Sequence, residues 1–126
     1  MIRVGVERYF AEDHVSAIHI LVPQLEDVLR RIIGKLGVST TSHGTDGFTR
    51  EKPLEIVLET PQLKVLLGDQ DWWYFKYVLI HQLGENLRND VAHGLLDKNR
   101  CTSGLTETVL HLFFRLTPFA AKNQPV

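Results

Sequence analysis

The residues with the clearest chemical potential stand together in Asn86-Leu87-Arg88-Asn89-Asp90-Val91-Ala92-His93-Gly94. A guanidinium is a rigid, bidentate partner for phosphate, and a histidine can exchange a proton near neutral pH. Together Arg88 and His93 form the minimum apparatus for cutting RNA without a metal. The imidazole helps the ribose 2′-OH attack or protonates the leaving oxygen, while the guanidinium stabilises charge building on phosphorus. The same residue types also have a structural use. Arg88 can pair with a carboxylate such as Glu26 or Glu85, and His93 can cap carbonyls at a helix end. The short spacing leaves both readings open.

Geometry limits how the pair can meet. On an unbroken helix five positions amount to ~500°, which leaves ~140° between the two side chains. Arg88 and His93 then do not share a face. Convergence needs a break between them or a second chain, and a two-fold dimer presents the same patch twice. Asn89 and Asp90 are good N-cap residues, so the spacing predicts a helix ending near Arg88 and a short one beginning at Val91. Gly94 supplies a stop.

The elements that carry this segment are read from periodicity. Over residues 13–36 the apolar positions Val15, Ile18, Val22, Leu25, Leu29, Ile32 and Leu36 trace one face of a long amphipathic helix. Pro23 lies inside it and predicts a kink or two abutting helices near residues 20–23. Gly37 closes it. Residues 37–52 show neither period and read as a long loop, either a surface insertion or a flap over a substrate. Residues 53–68 read as two short helices opened by Pro53 and Pro61, with Thr60 as a cap and a strand over 54–58 as the weaker alternative. A further helix, capped by Asp69 or Asp71, runs through Trp72, Phe75, Leu79, Leu83 and Leu87. The last covers residues 105–116, capped by Thr102 or Ser103 and ended by Pro118, before a frayed tail at 120–126. The sum is one domain with four principal helices and no convincing strand, an all-α bundle of four to five helices in up-and-down order.

Composition narrows the classes. The chain has 126 residues, with 14 basic against 15 acidic side chains and no basic block, which argues against a protein that coats nucleic acid non-specifically. No apolar run approaches the ~20 residues that span a bilayer, so no membrane partner is expected. The first eight residues lack the apolar core of a leader, and the expected location is cytoplasmic. A single cysteine, Cys101, excludes an internal disulfide. His14, His19, His43, His81 and His111 have no ligand spacing, so neither a zinc site nor any cofactor is expected.

Two further groups bear on the site. Glu26 and Arg30 form an i,i+4 pair beside Arg31 on the first long helix. They are either a solvated ion pair or working parts, with Glu26 orienting Arg88 or His93 and Arg30 or Arg31 touching RNA phosphate. Trp72, Trp73, Tyr74, Phe75 and Tyr77 cannot all face one core. At least one ring belongs at a subunit interface, with base stacking as the weaker alternative.

The run from Arg88 to His93 resembles the signature of the HEPN superfamily (higher eukaryotes and prokaryotes nucleotide-binding), an arginine and a histidine separated by four to six residues, often with a polar residue after the arginine. Asn89 stands in that polar place. The wider Arg88-Asn89 followed by His93-Gly94 is similar to a branch marked by an RNxxxHG motif. The stretch from His19 to Glu26, with Leu29-Arg30, looks like that branch's first helix, so the resemblance covers about residues 10–117. It implies a HEPN-like bundle that dimerises and brings two motif copies into one cleft. It also implies a metal-independent endoribonuclease, often a toxin or antiviral effector, held in check by an antitoxin or a sensor-domain partner. By position, Arg88 and His93 would be the catalytic pair and Asn89 the supporting polar residue. Some members keep the fold as a non-catalytic dimerisation or nucleotide-binding module, and members of this branch commonly form the end of longer proteins.

Overall fold

The computed structural model describes residues 1–81 and 84–121, and the protein is an all-α bundle. Its helices are α1 (Ile2–Phe10), α2 (His14–Lys35), α3 (Leu54–Val57), α4 (Pro61–Leu67), α5 (Asp69–Leu79), α6 (Leu87–Ala92) and α7 (Ser103–Ala121). A 3-10 turn at Lys98–Arg100 precedes α7, and two short strands, β1 (Thr41–His43) and β2 (Thr49–Glu51), pair between α2 and α3. Leu83 in the expected helical stripe and residues 122–126 of the expected frayed tail lie outside the described residues. No helix among the described residues is long and apolar enough to cross a membrane.

The central element is α2, which packs against α1, α3, α6 and α7. Ile18, Val22, Leu25, Leu29 and Ile32 of the predicted stripe are buried, together with Ala17, Leu21 and Ile33. Phe75 and Leu79 of α5, Leu87 of α6 and Val109, Leu112 and Leu116 of α7 close the core over them. Each such side chain contributes about 1.5–3 kcal/mol by leaving water, and this burial explains why Pro23 does not divide the helix. The proline deprives the His19 carbonyl of one N–H partner, but Leu21, Val22 and Leu25 are buried on both sides of it, so α2 runs through unbroken.

Several expectations are corrected. The loop at 37–52 contains an antiparallel hairpin with Thr41 opposite Glu51 and His43 opposite Thr49. Its strands are polar and largely exposed, so no alternation of apolar residues announces them. Helix α1 buries only Gly5 fully, and its place is set by packing on α2 and by the Tyr9 hydroxyl, which donates to Glu107 of α7 at 2.7 Å. Residues 54–57 are helical, which removes the strand alternative. Thr60 precedes α4, but its hydroxyl donates to the Val57 carbonyl instead of capping. Pro118 does not end α7. The Phe114 carbonyl that the proline leaves without an N–H partner accepts the Thr117 hydroxyl at 2.8 Å instead. Thr102 does cap α7, accepting from the Leu105 N–H at 3.2 Å. Asp69 and Asp71 do not cap α5: they stand inside its first turn, and Asp71 pairs with Arg115 of α7 at 2.8 Å.

Candidate functional site

The 86–94 segment begins with a turn that only a particular sequence allows. Helix α5 ends at Leu79, and Gly84 lies so close to it that a Cβ there would clash with the Tyr77 carbonyl oxygen. The same carbonyl accepts from the Glu85 N–H at 3.2 Å. Asn86 follows in the left-handed region, with φ 47°, and opens α6, a conformation asparagine tolerates better than most residues. The break therefore lies upstream of the motif, not between Arg88 and Val91.

Helix α6 carries Arg88 through Ala92 without interruption, and His93 is its C-terminal cap residue. Beyond it Gly94, at φ 66°, lets the Leu95 N–H reach the Asp90 carbonyl at 2.8 Å and the Gly94 N–H reach Val91 at 3.3 Å. This closure satisfies two terminal carbonyls. Leu87 is fully buried and anchors the helix to the core.

Arg88 faces α2, where its Nε donates to Glu26 Oε1 at 2.8 Å. Of the two carboxylates weighed for Arg88, Glu26 is the partner. Glu85 instead lies 3.9 Å from Arg100. A pocket of about 190 Å³ opens beside the Arg88–Glu26 pair, walled by Val22 and Pro23 on α2 and by Val91 and Ala92 on α6. His93 does not line it. Its ring is exposed and makes no hydrogen bond among the described residues, and Asn89 is half-buried on the same short helix. Within one chain, then, Glu26 and Arg88 are brought together and His93 is not.

Arg100 is the residue that spacing did not reveal. Its Nη1 donates to Asp90 Oδ2 at 2.6 Å and its Nη2 to the Glu85 carbonyl at 2.8 Å, so one planar fork ties the helix to the turn before it. A ten-residue separation across a glycine turn follows no period, and only the charge complementarity of Asp90 and Arg100 hinted at it. Cys101, beside it, has burial pushing its thiol above the usual range, with Arg100 opposing and Asp97 adding to the rise, so it is not an activated nucleophile.

The neighbouring candidates separate. Arg30 is 8% exposed and does not present a surface guanidinium as a phosphate contact would require. Its distances to Glu26 and Glu51 are both 3.8 Å. Arg31 is exposed and pairs with Asp27 at 2.9 Å. In the aromatic run Phe75 is buried, while Trp73 and Tyr77 are exposed and flank His81 at 5.2 and 6.0 Å. Trp72 donates to the Leu58 carbonyl at 2.7 Å, and the Lys76 ammonium lies 4.1 Å from its ring centre. Tyr74 contacts His111 at 3.0 Å. A larger hollow of about 360 Å³ lies among Leu36, Pro61, Gln62, Val65 and Leu66, but these side chains offer no acid, base or nucleophile. No group of three or more His, Cys, Asp or Glu among the described residues could hold a metal ion. No family model, curated protein or solved structure matches the chain.

Proposed function

We propose that the protein is a HEPN-type, metal-independent endoribonuclease that works as a homodimer in the cytoplasm. The observation that carries this reading is the Arg88–Glu26 pair on the wall of a pocket, with an exposed His93 as the C-terminal cap residue of the helix that carries Arg88. Arg88 is the phosphate clamp, Glu26 orients it, and Asn89 positions substrate or the partner's helix. His93 is the general acid and base. Because it does not line the pocket beside Arg88, the reading pairs it with the cleft that a second copy completes. Attack of the ribose 2′-oxygen on phosphorus, with loss of the 5′-oxygen, leaves a 2′,3′-cyclic phosphate and a 5′-OH end. Arg31, exposed on α2, is the remaining candidate phosphate contact. A toxin or antiviral role, with an antitoxin or sensor-domain partner, belongs to the same reading.

The Arg88–Glu26 contact also favours a second reading. A guanidinium already held by a carboxylate can serve structure alone, which makes the protein a non-catalytic dimerisation module. RNA cleavage in EDTA by the parent, His93→Ala and Arg88→Ala, each checked for a folded dimer, separates the two. Cutting by the parent alone, with cyclic or 3′-phosphate ends, supports the ribonuclease. No cutting by a folded, dimeric parent, together with a loss of stability in Arg88→Ala, supports the module, and equal cutting by all three marks a contaminant.

A further inference from the structure

We infer that Glu26 is a carboxylate shared between two arginines, and that it passes from Arg88 to the buried Arg30 when a phosphodiester occupies Arg88. The starting point is an anomaly. Arg30 is buried, yet its Nε and Nη1 have no hydrogen-bond acceptor among the described residues. Burying a charged donor without an acceptor is costly, so the arrangement calls for a reason. Two carboxylates stand just out of reach, Glu26 Oε1 at 3.8 Å from Nη2 and Glu51 Oε2 at 3.8 Å from Nε. The Glu26 oxygen is already held by Arg88 at 2.8 Å, while Glu51 is 71% exposed on the hairpin.

Glu26 and Arg30 lie four residues apart on α2, so the carboxylate can turn from one guanidinium to the other without moving the helix. A phosphodiester at Arg88 supplies that guanidinium with acceptors of its own and repels the neighbouring carboxylate. Movement toward Arg30 relieves the repulsion and brings the carboxylate to the Nη2 edge of the buried guanidinium, beside the unpartnered Nη1 on the same carbon. Arg30 is then a positioning residue for Arg88, not a phosphate contact. The inference rests on the reading of Arg88 as a phosphate clamp.

The test is a titration of the full chain, carrying 15N-labelled arginine, with a 2′-O-methylated diribonucleotide that presents a phosphodiester but cannot be cut. The Nε–H signals of Arg88 and Arg30 should shift together with one midpoint. In Glu26→Gln, Arg88 should still respond, at a midpoint lower by about fivefold because the competing charge is gone, and Arg30 should fall silent. In Arg30→Gln, checked for fold by circular dichroism, the Arg88 midpoint should rise by about fivefold because the carboxylate has lost its destination. A response at Arg88 alone in the parent, an Arg30 response that persists in Glu26→Gln, or an unchanged midpoint in Arg30→Gln overturns the handover while leaving the phosphate clamp standing. Silence at both arginines in the parent overturns both.

Discussion

Helices α2 and α6 supply the two sides of the candidate site and are held by different forces. Helix α2 has 22 residues, opens with an Asp13 cap on the Ser16 N–H at 3.2 Å, and buries apolar side chains along most of its length. Helix α6 has six residues, opens from Asn86 without a side-chain cap, and fully buries only Leu87. So short a helix has no stability of its own. Its pitch is fixed by Leu87 and by polar ties: Arg88 to Glu26, and Arg100 to Asp90 and Glu85. One side is therefore a rigid floor set by apolar burial. The other is a short wall held by one buried leucine and by ion pairs and hydrogen bonds.

The largest expected effect tests the floor. Leu25→Ala removes a fully buried side chain from α2 and should cost about 2–5 kcal/mol by denaturant unfolding, as large-to-small core changes do. A loss below that range would mean α2 is less tightly packed than its partners suggest. The next tests the wall. Gly84→Ala forces a methyl into the Tyr77 carbonyl and should cost about 1–3 kcal/mol, as overpacking does. Faster amide exchange should appear at residues 84–95 and not in α2. Exchange that quickens equally in α2 would join floor and wall into one cooperative unit.

The same contrast explains what the sequence made legible. The stripe from Ile18 to Ile32 announced α2 because apolar burial leaves a period. Even the misplaced break at Pro23 came from a local rule that packing overrode. At the site, Glu26 was legible as a partner for Arg88 because an arginine at a helix end readily pairs with a carboxylate, although Glu85 met that need equally well. The position of the break before α6 was not legible, since it depends on how closely Gly84 passes Tyr77. Arg100 stayed hidden for a related reason: a tie between two turns has no spacing. The polar hairpin lacked any apolar pattern, and the burial of Arg30 depends on neighbours far along the chain.

Arg100→Ala sharpens the comparison at smaller scale. Arg100 is 39% exposed and Asp90 16%, so loss of the fork should cost only about 1 kcal/mol after allowing for solvent screening. Its signature should be local, with faster amide exchange confined to residues 85–95. Arg100→Lys should restore less than half of the protection, because one ammonium cannot reproduce a planar fork that reaches a carboxylate and a carbonyl at once. Full restoration by lysine would show that charge alone, and not geometry, holds the wall.

The smallest effect returns to α2 and is read through pH. Hydrogen bonding from Ser16, first by its side chain and then by its backbone N–H, holds the Asp13 carboxyl below its ordinary 3.8. A lowered value in the folded state means that the cap contributes stability above the unfolded value. That contribution disappears as pH falls from about 3.8 through the folded one. Asp13→Asn keeps an N-capping side chain but does not titrate. Urea midpoints measured on both sides of 3.8 should therefore fall less steeply on acidification in Asp13→Asn than in the parent. Amide exchange at the start of α2 should show the same difference, while α6, which has no capping side chain, should show none. Parallel acid limbs in the two proteins would assign the parent's acid sensitivity to other carboxylates, with Asp13 adding little beyond its shape.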